Sequence, residues 1–195
     1  MSPSAQRDRQ RGFTLMETVV ALGITAALMV VLGNILLSST RSVDYVVTDS
    51  VMDQEIKRGL NRLLQEVQSS SPSTISVVET NPDHDVLVFQ VPAHWDGVAV
   101  RWGATDDDNV FHEGWQIRYQ VVQGDLVRGL LGATGLPVGT ESLVLRRIDP
   151  ARDGQKGFRV TRVNALITVL VRSGRQFRDG VWYEKEFTSS VHLVN

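Results

Sequence analysis

The chain has 195 residues, with 20 basic and 22 acidic side chains for a formal net charge of −2, four histidines and no cysteine. That length admits about one domain plus an anchoring segment, and the near-balance of charge, with no Lys/Arg cluster beyond the N-terminal residues, excludes the footprint of a nucleic-acid binder. The absence of cysteine excludes disulfides, thiol nucleophiles and thiolate-ligated zinc together.

Residues 1–12 are polar and arginine-rich, with Pro3 and Gly12 as breakers. Next comes Phe13-Thr14-Leu15-Met16-Glu17, and from Thr18 to Thr40 no residue is charged. As a helix rising 1.5 Å per residue, that run would span about 35 Å, against about 30 Å for a bilayer core. Backbone groups in hydrocarbon must be satisfied within the segment, so the run has to be helical. A secretory signal peptide would have a shorter apolar core closed by a small-residue cleavage site; here the run is longer and no A-x-A site closes it. Glu17 is the odd residue. A carboxylate costs on the order of 2.5–3.5 kcal/mol at the bilayer centre, less near the interface, and so marks a partner or a function. If the chain were cut between Gly12 and Phe13, the new α-amine would lie four residues before Glu17, on one helical face. That amine, or the amine of a chain packed alongside, could neutralise the acid.

Gly12-Phe13-Thr14-Leu15-Met16-Glu17, preceded by basic residues and followed by an apolar helix, resembles the class III signal of type IV pilins and type II secretion pseudopilins. The resemblance covers residues 7–37; beyond them it is one of architecture. It implies that Gly12 ends a leader removed by prepilin peptidase, that Phe13 becomes the N-methylated first residue of the mature chain, and that Glu17 is the acid needed for assembly. An ordinary single-pass anchor needs only length and flanking charge, and explains neither Gly12-Phe13 nor Glu17. Arg7, Arg9 and Arg11 outweigh Asp8, which holds the N-terminus in the cytoplasm and puts the remainder outside the inner membrane.

After residue 40 the apolar pattern narrows to a stripe. Val43, Val47 and Val51 recur at four-residue steps, and Met52, Ile56, Leu60, Leu64 and Val67 continue it, with most charges elsewhere. No proline interrupts the chain between Phe13 and Pro72, so the pattern predicts one helix of about 55 residues ended by Ser69-Ser70-Ser71-Pro72. Its second half should lie against a folded domain.

Beyond Pro72 the signal changes to alternation and β-branched residues. It predicts strands over 74–78, 86–91, 98–102, 115–122, 125–131, 143–148, 165–172 and 183–193, with 115–131 a tight hairpin through Gln123-Gly124. Residues 135–139 read as a loop, and 158–164 as a short helix or an edge strand. The fold class is α+β: a long N-terminal helix, first transmembrane and then amphipathic, packed on antiparallel sheet in a pilin-like arrangement. The organisation is a cleaved leader over 1–12, a transmembrane helix over 13–40, its amphipathic continuation over 41–71 and a periplasmic β-rich domain over 72–195.

Few residues suggest chemistry. His84, His94 and His112 lack the helical spacing of a zinc motif such as H-E-x-x-H, and read as solvated or hydrogen-bonded surface groups. Asp106, Asp107 and Asp108, followed by Asn109, are weak calcium candidates: hard oxygen ligands on a loop, without the D-x-[DN]-x-[DN]-G-x₅-E pattern. A solvated turn is the simpler account. No G-x-S-x-G elbow, phosphate-cradling glycine loop or triad spacing occurs. The four tryptophans read as core or interface aromatics.

The expectation is therefore a non-enzymatic filament subunit with no cofactor and no catalytic residues. The carboxy-terminal run Ile167–Arg172 with Phe187–Val194 is similar to J-type minor pseudopilins of type II secretion, and W-type minor pilins share the plan. What the resemblance implies is a structural subunit of the pseudopilus that helps initiate it or build its tip for protein export. Its partners would be prepilin peptidase, other pseudopilins or pilins through their N-terminal helices, the inner membrane and a secreted protein, with no direct nucleic-acid contact. The alternatives are a minor pilin of a type IV pilus or DNA-uptake filament, and a periplasmic enzyme or binding domain on a plain anchor.

Overall fold

The computed structural model describes residues 14–79, 81–95, 99–149, 154–176 and 180–193, with the side chains of His94 and Trp95 outside that description. With no proline after Phe13 to break the ladder, a single helix, α1, runs over Leu15–Gln68, 54 residues. It ends in serines. The hydroxyls of Ser69 and Ser70 donate to the carbonyls of Glu66 and Val67 at 2.7 and 2.6 Å, satisfying acceptors that the last turn leaves open. Pro72–Thr74 then forms one 3₁₀ turn, capped by Ser71, whose hydroxyl accepts from the Ser73 N–H at 3.4 Å while Thr74 Oγ1 accepts from the Ser71 N–H at 3.3 Å.

The chain divides into two compact units, residues 1–52 and 53–195. In the first, the described residues are helical from Leu15, and their large apolar side chains from Leu15 to Val51 are exposed. The second holds the last turns of α1 and, among the described residues, eleven strands: β1 Ser76–Val78, β2 Val86–Phe89, β3 Val91–Trp95, β4 Val100–Thr105, β5 Phe111–Glu113, β6 Gln116–Val122, β7 Asp125–Leu131, β8 Pro137–Leu145, β9 Phe158–Val163, β10 Leu166–Gln176 and β11 Trp182–His192. They form a five-stranded sheet in the order β1-β2-β6-β7-β8 and two three-stranded sheets, β11-β10-β9 and β3-β4-β5. Among the described residues these strands pair antiparallel, and one isolated parallel bridge joins His84 to Phe158.

The core lies where Ile56, Leu60, Leu63 and Val67 of α1 meet the inward alternation of two sheets. Leu87, Phe89, Ile117, Tyr119, Leu126 and Leu145 come from the larger sheet, and Phe158, Val160, Ile167, Val169 and Val171 from β9–β10. Phe89 and Tyr119 stack with ring centroids 6.1 Å apart. This is the expected α+β, pilin-like architecture: a long N-terminal apolar helix packed with antiparallel sheet.

Several local expectations are corrected. Val43, Val47 and Val51 are not part of the buried stripe; they are 56, 54 and 45 % exposed. At about 100° per residue, Val51 and Met52 open on different faces, so the two four-residue series do not join. Leu63 rather than Leu64 enters the core, because alternating steps of four and three hold one face whereas repeated steps of four drift around the helix. The predicted strand 86–91 breaks at Gln90 into β2 and β3, strand 74–78 shrinks to β1 behind the 3₁₀ turn, and 98–102 becomes β4. Of the predicted strand 143–148 only 143–145 is strand, the tail of a longer β8 that starts inside the expected 135–139 loop, Ile148 makes an isolated bridge to Ser173, and 158–164 resolves as the edge strand β9. β5, three residues long, gave too little alternation to read.

Candidate functional site

The residues at the start of α1 form a capping box. Thr14 precedes the first helical residue, and its hydroxyl accepts from the Glu17 N–H at 3.2 Å. In return Glu17 Oε2 accepts from the Thr14 N–H at 2.9 Å and from the Thr14 hydroxyl at 3.1 Å. Each residue thus satisfies a donor of the other that the helix start leaves unpaired. The pattern Thr-x-x-Glu before an apolar run is a sequence signal for a helix start, and it adds a local structural role for Glu17 that the sequence analysis missed. Gly12 and Phe13, read as the cleavage and methylation residues, lie outside the described residues.

Beyond the cap the helix is built for an apolar surround. It is long and apolar enough to cross a membrane, and it is the one such helix among the described residues. Its hydroxyls turn back on their own backbone: Thr18 to Thr14 O at 3.2 Å, Thr25 to Ala21 O at 2.8 Å and Thr40 to Leu36 O at 2.6 Å. Such i−4 bonds keep those side chains satisfied where water is absent. Gly23 and Gly33 carry no side chain, and small residues of this kind let the backbone of another helix come close.

The acidic turn is occupied by the protein itself. Asp106 Oδ1 accepts from the N–H groups of Asp108 and Val110 at 3.0 and 2.8 Å, and its Oδ2 lies 2.8 Å from His112 Nε2. The bond to His112, with the Val110 N–H next, holds the Asp106 carboxyl below its ordinary value. Asp107 instead faces Arg128 at 4.0 Å. Asn109, at φ 61°, closes the turn. Among the described residues no three His, Cys, Asp or Glu side chains converge as a metal site. His112 stacks on Trp115 at 3.8 Å between centroids.

His84 departs from the expected surface histidine. It is 9 % exposed, its Nδ1 has no hydrogen-bond partner among the described residues, and burial lowers its pKa. Next to it, Asp85 is buried and holds Lys156 Nζ through Oδ1 and the Val160 N–H through Oδ2, at 2.5 and 2.8 Å. A second network ties α1 to the large sheet: Arg128 Nε donates to both Glu66 oxygens at 3.0 and 3.1 Å, and the Tyr119 hydroxyl donates to Glu66 Oε2 at 3.0 Å. Burial, with the Glu66 charge beside it, pushes the Tyr119 phenol far above its usual range. These groups were not singled out from sequence, because the partners lie 53 and 62 positions apart.

Residues 7–33 match the family model of the prokaryotic N-terminal methylation motif. The chain therefore carries the class III prepilin signal, consistent with the type IV pilin and pseudopilin family. No curated protein and no solved structure matches the chain. The signal implies processing by a prepilin peptidase and assembly with other pilins, and the single apolar helix near the N-terminus fits a single-pass inner-membrane anchor. Proteins of this kind are in general structural rather than enzymatic.

Proposed function

We propose that this pilin-like chain is a minor pseudopilin, a membrane-stored subunit of a type II secretion pseudopilus that helps initiate the filament or build its tip. The observation that carries this reading is the methylation motif running directly into a capped helix that begins at Leu15 and carries no charged residue from Thr18 to Thr40. Residues 1–12 are the leader, cut after Gly12, and Phe13 is the methylated mature N-terminus. Residues 13–40 span the inner membrane, 41–71 continue the helix outside it, and 72–195 form the periplasmic domain. Glu17 accepts the amine of a neighbouring subunit's Phe13 as helices pack in the filament.

The mass of the mature N-terminal peptide tests processing. A peptide beginning at N-methylated Phe13, lost when prepilin peptidase is absent, is the expected result. An intact Met1 leader in both strains would sink the proposal and leave a plain anchor. The assembly role needs a pair of variants, because Glu17→Ala removes the helix cap along with the charge. Glu17→Gln keeps a side-chain oxygen for the cap and loses only the charge. Both are expected to be inserted and cleaved normally yet to be missing from sheared filaments. Normal assembly of Glu17→Gln would show that the cap, not the charge, is what assembly uses. Loss of protein export on deletion of the chain, with surface pili intact, separates a type II pseudopilin from the alternative minor pilin of a type IV pilus or DNA-uptake filament.

A further inference from the structure

Asn34 carries the one side-chain amide in the charge-free run of α1, seventeen positions after Glu17 and seven before Arg41. At 1.5 Å per residue it stands about 10 Å from the level of Arg41, further than an asparagine side chain reaches. The hydroxyls of Thr25 and Thr40 donate to the carbonyls of Ala21 and Leu36 at 2.8 and 2.6 Å. Asn34 has no such closure: among the described residues its side chain makes no hydrogen bond. Two N–H donors and a carbonyl are thus carried into an apolar surround, where an amide without a partner is costly. The helix geometry gives that amide a face. At about 100° per residue, Gly23, Ala27, Val30 and Leu37 lie within about 60° of Asn34, in steps of four and three, whereas Leu32 and Leu36 lie opposite. All of them are exposed, so the chain itself covers neither face. The first set is the seam of a helix pair, with Ala27 and Asn34 at a positions and Val30 and Leu37 at d positions. One asparagine at an a position specifies register and oligomeric state.

We propose that Asn34 joins two copies of this chain as a parallel, in-register pair within the membrane, each amide donating to the other's carbonyl across the seam. The proposal rests on the reading of α1 as a membrane anchor. The occupant follows from the residue. An apolar helix would leave the amide as bare as lipid does. A second copy enters the bilayer the same way round and brings an amide to the same depth. An amide is donor and acceptor at once, so two identical ones satisfy each other. Gly23 and Ala27 let the backbones approach closely enough for so short a side chain to reach. Neighbours in a helical filament stand at different heights, so a bond between equal heights belongs to the stored subunit.

The test uses the full chain in a host membrane that contains no other pilin. The natural chain has no cysteine, so one introduced thiol reports alone under copper–phenanthroline oxidation. Val30→Cys and Leu37→Cys should form disulfide-linked dimers, and Leu32→Cys should form about tenfold less. Adding Asn34→Val to Val30→Cys should lower its dimer by about tenfold, while Asn34→Gln, which keeps an amide, should retain it. Valine is the more apolar residue, so loss of the dimer with Asn34→Val would not come from failed insertion. Equal dimer with and without Asn34→Val, or equal dimer at Val30→Cys and Leu32→Cys, would overturn the proposal and leave the anchor standing. An alkaline wash of the same membranes separates the two readings: release of the chain there would overturn the anchor and the pair together.

Discussion

Arg128 is the residue on which the junction of α1 with the large sheet turns. Its side chain is 8 % exposed, and its Nε is bound to both oxygens of Glu66. Arg128→Ala would leave the Glu66 carboxylate partly buried opposite the Tyr119 hydroxyl, and breaking a buried pair from one side costs about 3–5 kcal/mol. Glu66 is 23 % exposed and keeps Arg62 Nε at 3.6 Å, so a smaller loss, about 1.5–3 kcal/mol, is expected from denaturant unfolding. Tyr119→Phe should cost about 1.5–3 kcal/mol, the worth of a hydrogen bond to a charged group. His84 sets a pH dependence. Burial holds its imidazole below the ordinary 6.5, with Asp83 and Asp85 pulling weakly the other way. The unfolded chain therefore binds more protons than the folded one as pH falls below 6.5, and stability must fall with it. Urea midpoints measured from about pH 7.5 down to about pH 5 should decrease, and His84→Gln should flatten that slope.

At the scale of elements, Gly59 shows how packing reverses a propensity. Alanine in place of glycine within a helix usually stabilises by about 0.5–1 kcal/mol. Here a Cβ would lie 2.5 Å from Leu145 Cδ2 and 3.0 Å from the Val144 carbonyl of β8. The carbonyl belongs to a paired strand and cannot give way, so Gly59→Ala should destabilise by about 1–3 kcal/mol, read from the shift in urea midpoint. What was legible in sequence divides along the same line. The length of α1, its serine-proline end and the hairpin through Gln123-Gly124 follow from local chemistry, and all appear in the structure. The face on which α1 is buried did not follow from Val43, Val47 and Val51, because an apolar series states that a face exists and not what covers it. The break at Gln90 was hidden for a related reason: a chain that passes from one sheet to the next keeps its alternation. His84 reads as a surface group in sequence because the segment that covers it, around Gly157 and Phe158, is brought in only by the fold.

At the scale of the molecule, one chain carries two kinds of apolar surface. That of the second unit is consumed in its own core. That of the first, from Leu15 to Val51, is exposed all round, and a protein left with such a helix must give it to lipid or to other helices. Extraction should reflect this: the full chain should remain with membranes through high-salt and alkaline washes and leave only with detergent. Release by salt alone would contradict an integral anchor. Glu17 was singled out by its place four residues after Phe13, while its cap with Thr14, less than one turn away, was seen only in the structure.

The mutual hold of Thr14 and Glu17 bears on the energetics of joining a filament. An acid already served by its own chain gains little total hydrogen bonding when it turns to a neighbour's amine; one set of donors is exchanged for another. On the proposed reading, the apolar flanks then set how tightly a subunit is held, and the acid sets where it stops. A helix sliding past its neighbour finds its donors again only at matching heights, so the carboxylate works as a gauge of axial register. Subunits could pass between membrane store and filament without the acid ever standing bare.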